Sequence, residues 1–294
     1  MHGLNIKKGE AMITKIRSIA GCAVLFLMVM MSRGWAEAPA PQEGTKTVPA
    51  ALSGEASKET PAIDPRALDK LKVMSDTLAQ AKSVQFEARS MVPIKSPNGL
   101  WVSLFGSARV VKESTEKLFA ETRGDFFPYD FYFDGKTVTA YSPTKNFYAE
   151  KAAPGTIEDV IEAAYQEEGK SFPYADILVA EPFKVLTDEL VQAAYVGQST
   201  IGGVKTDHLV FANKGVEWQI WIGVEDHLPR LVYGNYFDDI SEPSYTVGFL
   251  NWKVNQSVPP ETFVFQNTSK AAKVEFRNPM QQGRGVPPGA AVQQ

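Results

Sequence analysis

The chain has 294 residues, 44% hydrophobic and 22% charged, and its 17 Phe, 10 Tyr and 5 Trp supply ample surface for a core. Removal of the first 36 residues leaves 25 basic and 33 acidic residues, a net charge of about −8, which gives no electrostatic footprint for nucleic acid or an anionic surface. The single cysteine, Cys22, lies in that first piece, so the rest must fold by packing without a disulfide.

The N-terminus reads as an export signal. Lys7, Lys8, Lys15 and Arg17 precede an apolar run from Ile19 to Met31, too short for a comfortable span, and Gly34-Trp35-Ala36 offers small residues for cleavage. Ile19-Ala20-Gly21-Cys22 matches a lipid-attachment pattern, but it opens the apolar run instead of closing it, so anchoring at Cys22 is not expected. The sequence therefore divides into a signal peptide (1–36), a disordered lead-in (37–62), one folded domain (63–279) and a Gly/Pro/Gln-rich tail (280–294). Its destination is the periplasm.

Asp64-Pro65 caps a helix, and Ala67, Leu68, Leu71, Met74, Leu78 and Ala81 recur on one face to about Lys82. Val84, Phe86 and Ala88 then alternate with polar residues as a half-buried strand. Leu100–Val111, Lys117–Arg123 and Phe127–Phe133 follow, and the Asp134-Gly135 turn leads into Thr137–Tyr141 and Phe147–Glu150. The spacing predicts helices from Thr156 to Gly169 and over Pro182–Ala194, the second carrying Phe183, Leu186, Leu190 and Val191. Strands resume over Tyr195–Thr200, Val204–Ala212, Val216–Ile222, Pro229–Phe237 and Tyr245–Val254. About eleven strands with few helices imply an α+β, mainly antiparallel fold that can curl into an unclosed barrel.

Catalytic motifs do not emerge. Asp207 and His208 are adjacent on a strand and point to opposite faces, so they form no relay, and a structural role for His208 is the default. Asp238, Asp239 and Glu242 read as a solvated loop, and Gly202-Gly203 as a turn between strands. On one strand Trp218, Ile220 and Ile222 share a face that Trp221 does not.

With the helix leading into Val84–Arg89, Asp134-Gly135-Lys136-Thr137, Tyr141, Pro143, Asn146-Phe147-Tyr148-Ala149, Ala153-Pro154-Gly155-Thr156, Asp207-His208-Leu209 and Glu217-Trp218-Gln219-Ile220-Trp221-Ile222, the run from Asp64 to Phe276 resembles an uncharacterised family of predicted periplasmic proteins. More distantly it is similar to the LolA-type lipoprotein carriers. The family usually has Asp at the position of Glu217 and often Cys at that of Thr206; the second difference removes any thiol-based role.

The resemblance implies a strongly curved, unclosed sheet whose open face is covered by helices and encloses an apolar cavity for acyl chains. Candidate ligand contacts are Val84, Phe86, Leu104, Phe127, Phe131, Phe133, Trp218, Ile220, Leu250 and Trp252, with Phe126, Phe172 and Tyr174 at the rim. The expected function is a non-enzymatic binding protein or carrier for a lipid or acylated lipoprotein, monomeric, without cofactor or metal, and with a membrane protein as a further partner. An envelope-stress sensing module and a hydrolase are the alternatives.

Overall fold

A computed structural model describes residues 62–96, 98–125, 128–153, 155–168, 175–237 and 244–276. The expected signal peptide, the lead-in up to residue 61 and the tail lie outside the described residues, as do Phe126, Phe127, Gly169, Phe172, Tyr174, Asp238, Asp239 and Glu242.

Helix α1 (Pro65–Gln80) begins where the sequence places it: the Asp64 carboxylate accepts from the Arg66 backbone N–H, and Pro65 occupies the first turn, where no N–H is needed. Its buried stripe is Ala67, Leu71, Met74 and Leu78. Strands β1 (Ser83–Lys95), β2 (Trp101–Glu113), β3 (Lys117–Gly124), β4 (Tyr129–Phe133), β5 (Thr137–Ser142) and β6 (Phe147–Ala152) form an antiparallel meander. Asp134 sets the β4–β5 turn, its carboxylate accepting from the N–H groups of Lys136 and Thr137.

Helix α2 (Ile157–Glu168) opens with a reciprocal cap, in which Thr156 Oγ1 accepts from the Asp159 N–H and the Asp159 carboxylate accepts from the Thr156 N–H. A 3₁₀ turn (Ala175–Ile177) and helix α3 (Pro182–Leu186) follow. The expected helix over Pro182–Ala194 is therefore corrected: it stops at Leu186, Glu189 takes a left-handed φ of 48°, and Leu190 and Val191 belong to β7 (Leu190–Ile201). Their apolar spacing suits a helix, but pairing with β8 captures the segment as an edge strand.

Strands β8 (Val204–Asn213), β9 (Val216–Gly223), β10 (Pro229–Tyr236) and β11 (Ser244–Val254) complete a second meander, and a short β12 (Ala272–Val274) lies parallel to β6. All twelve join one open sheet in the order β12-β6-β5-β4-β3-β2-β1-β11-β10-β9-β8-β7. Because β6 lies beside one edge and β7 forms the other, the connection carrying α2 and α3 must cross a face of the sheet. Residues from β1–β5, β7–β11 and the helices share one core cluster, so the sheet curls around a helix-covered inner face.

The outer face carries a smaller cluster. Val111 and Phe119 are covered by Val258 and Phe263 of the C-terminal segment, with Tyr132 beside them. The ring of Phe265 then lies 5.0–5.6 Å from those of Tyr132, Tyr141 and Tyr148. The segment thus crosses the sheet as a strap before joining its edge as β12.

Candidate functional site

Two inner-face ring assemblies organise the site. On the β1–β11 side, Phe86 meets Phe249 edge-on at 5.6 Å and Trp252 at 4.5 Å, and the Trp252 indole donates to the Pro229 carbonyl at 2.9 Å. On the β8–β9 side, Phe211 stacks on Trp218 at 4.4 Å, and the Trp218 indole donates to Asn213 Oδ1 at 2.8 Å. Asn213 Nδ2 in turn donates to the Leu186 and Asp188 carbonyls, which ties the end of α3 to the wall. Satisfied indoles let these rings sit in an apolar interior without a desolvation penalty.

Of the sequence candidates, Val84, Phe86, Phe131, Phe133, Trp218 and Ile220 are buried together in the inner cluster, with Trp252 packed against them. Leu104 is half-buried at the same parity as Ala108 and Val110, further along β2. Leu250 is displaced from the group. Asn251 has a left-handed φ of 55°, and Asn251 and Trp252 both fall opposite Phe86, forming a bulge. Strict alternation would put Leu250 and Trp252 on one face, whereas the extra residue leaves Phe249 and Trp252 inside and turns Leu250 the other way. Phe126, Phe127, Phe172 and Tyr174 fall on segments outside the described residues.

Asp207 and His208 point to opposite faces, as the strand geometry requires. Asp207 accepts from Lys70 of α1 at 2.7 Å and from Tyr195 and Gln198 at 3.0 Å each. Burial opposes its ionisation, but these hydrogen bonds outweigh burial and hold the carboxyl below its ordinary range. His208 is hydrogen-bonded to Gln219 at 2.8 Å and stacks on Trp221 at 4.1 Å, a wall contact on the outer face.

Three features carried no periodic signal that sequence reading could use. Lys112 of β2 is buried at the inward parity of Val110. In the 3₁₀ turn, Asp176 Oδ1 has no hydrogen-bond partner, and burial pushes its carboxyl up to about 6. The Tyr245 ring lies over Gly234, where a Cβ would come within 2.3 Å of it, and burial raises the phenol well above its ordinary range. At the far end of the β1–β2 hairpin Leu100, Trp101, Val102 and Phe105 are exposed, and no charge occurs from Ser96 to Ala108. No group of three or more metal-ligating side chains, and no helix long and apolar enough to cross a membrane, occurs among the described residues.

These features define an unclosed, mainly antiparallel half-barrel with a ring-rich inner face and a helical cover. The chain belongs to the family described as predicted periplasmic protein (DUF2092), whose model matches residues 67–277. Among solved structures it is similar to the lipoprotein LppX of Mycobacterium tuberculosis, at 15% identity and a TM-score of 0.41, over 67% of this chain and 98% of that one. It is also similar to the LolA superfamily protein NE2245 from Nitrosomonas europaea (11% identity, TM-score 0.29, 68% and 97% covered). A third likeness is to the MucA/MucB complex of Pseudomonas aeruginosa (12% identity, TM-score 0.37), over 68% of this chain and 61% of that one. No curated protein matches the chain. At these identities the definition of the fold rests on its own strand order.

Proposed function

We propose that this is a periplasmic binding protein that holds a hydrophobic ligand, the acyl chain of a lipid or lipoprotein, against the inner face of the half-barrel. The observation that carries this reading is incomplete burial within an apolar wall. Phe86, Phe133, Phe211 and Ile220 are fully enclosed, whereas Leu104, Val232 and Trp252 on the same face are only half-buried. A solid core would close over such residues; an acyl chain laid along them completes their burial. At roughly 25 cal/mol per Å², several hundred Å² of chain leaves several kcal/mol after ordering costs.

Binding of this kind needs no cofactor, metal or bond-making group. Asp176 is a perturbed carboxyl, yet its Oδ1 bonds to no other group, while His208 faces outward and is engaged with Gln219. Release requires a membrane or partner that competes for the chain, and the uncharged, apolar hairpin end around Trp101 and Phe105 is the natural place for transfer.

Native mass spectrometry of the periplasmic protein, followed by organic extraction, tests the reading. A stoichiometric lipid that is lost in Phe131→Ser with the fold retained supports it. A clean apo mass that takes up no lipid or lipopeptide on titration overturns it.

A further inference from the structure

Among the described residues, Asp64, Asp130, Asp207 and Lys112 are the buried charged side chains. The three carboxylates each hold a cation: Asp64 binds Arg66, Asp130 binds Arg123 at 2.6 Å and Asp207 binds Lys70. Lys112, 4% exposed, makes no hydrogen bond or ion pair. It stands directly opposite Val84 of β1 and Leu118 of β3, two residues past Val110, and all three belong to the inner core. Lys112 therefore sits on the ligand-facing side, in aliphatic surroundings. Desolvation alone lowers its ammonium to about 8, which leaves it charged at neutral pH.

The residue is buried but its Nζ is not sealed off, and with no carboxylate beside it a partly desolvated ammonium favours a ligand that brings an anion. Its place in the fold specifies what kind. Lys112 is one residue from the end of β2, where the β2–β3 turn is tied to the segment after α1 by the Ser114 N–H to Lys82 carbonyl bond at 2.9 Å. The same turn is tied to the start of α2 by the Ile157 N–H to Thr115 carbonyl bond at 2.7 Å. The opposite end of β2 is the exposed apolar hairpin. Between them, inward positions Val110, Ala108 and Leu104 make an apolar track of about 26 Å at roughly 3.3 Å per residue, room for an extended long-chain acyl group.

We propose that Lys112 anchors the ligand's headgroup, and that the ligand class is a single-chain carboxylate amphiphile, a long-chain fatty acid bound carboxylate-first with its tail running toward the β1–β2 hairpin. This rests on the acyl-binding reading above and adds the charge and orientation of the ligand. A single cation in an otherwise apolar track suits one carboxylate better than a zwitterionic headgroup, whose ammonium would lie buried beside Lys112.

The test is titration of the native protein, Lys112→Met and Lys112→Arg with palmitate and with its uncharged glycerol ester, monopalmitin. Expected are a preference of native protein for palmitate of about tenfold or more, loss of that preference in Lys112→Met with monopalmitin binding unchanged, and its recovery in Lys112→Arg. Equal affinity of native protein for the two ligands, or palmitate binding undiminished in Lys112→Met, overturns the anchor while leaving acyl binding intact. Failure of native protein to bind either ligand removes the acyl-binding reading itself, and the anchor with it. Should Lys112→Met not fold, the native preference decides alone.

Discussion

The two faces of the sheet solve the same problem differently. The outer cluster is small and closed: Val111 and Phe119 are covered by Val258 and Phe263, and the Phe265 ring fills the space among three tyrosines. The inner face is broad, draws on both meanders and the helices, and grades from enclosed rings to half-buried ones. It also holds an unpartnered ammonium at Lys112 and an unbonded carboxyl oxygen at Asp176. A strap supplied by the chain leaves nothing for a ligand to cover, whereas a face with half-buried rings and uncompensated charge is built around something more. That difference is why the proposed ligand is assigned to the inner side.

Truncation on the two faces should break this comparison most severely. Phe133→Ala, at the centre of the inner core, is expected to cost about 3–5 kcal/mol in urea unfolding. Phe263→Ala removes an equally buried ring, but the strap can settle over the gap, so a loss of about 3 kcal/mol is expected, with ligand binding kept. Loss of binding in Phe263→Ala would mean that the faces are not independent.

Asp176 sharpens the contrast through pH. Its folded pKa, about 6, is raised above the ordinary 3.8 by burial, so the unfolded chain releases its proton first. Stability is unaffected by this group below about pH 4, falls as pH rises toward 6, and stays reduced above it, by on the order of 2–3 kcal/mol. Asp176→Asn should flatten that slope in denaturant titrations at pH 4 and 7. An unchanged slope would show that the carboxyl is not held in a dry setting. Asp207 works in the opposite sense: its folded pKa is lowered, so its contribution is present above the ordinary carboxylate range and is lost as pH falls through the folded value.

Smaller effects test how the inner face is held. Asn213→Ala removes the partner of the Trp218 indole and of two carbonyls beside α3, at a cost of about 1–2 kcal/mol. Hydrogen exchange should then rise at Leu186–Asp188 before it rises in β1 or β11. At the bulge, Asn251→Val forces a β-branched residue into a left-handed conformation and should cost about 1 kcal/mol, whereas Asn251→Gly should be close to neutral by thermal melting.

Much of this was legible in the sequence, for identifiable reasons. Asp64-Pro65, the Asp134 turn and the Thr156 cap are local chemistry, and period-two alternation placed Val84, Phe86, Phe131, Phe133, Trp218 and Ile220 on one face. Leu250 was misplaced because one left-handed residue, Asn251, resets the alternation and leaves no trace in hydropathy. Leu190 and Val191 fit a helix by spacing but are taken by strand pairing, a tertiary effect. The strap left no signal because Val258 stands alone before Pro259 and Pro260, and Phe263-Val264-Phe265 is too short a run to show a period. Lys112 looks like any surface charge until its register with Val84 and Leu118 is known.

The most direct test of an inner-face ligand uses the placement of the tryptophans. Trp218 and Trp252 face inward, Trp221 stacks on His208 outside, and Trp101 is exposed on the hairpin. Fluorescence quenching by a brominated long-chain fatty acid can be compared in two variants, Trp101→Phe with Trp221→Phe and Trp218→Phe with Trp252→Phe. Saturable quenching of the inward pair, with little change for the outward pair, is the expected result. Quenching confined to the outward pair, or none in either variant, would contradict acyl binding on the inner face.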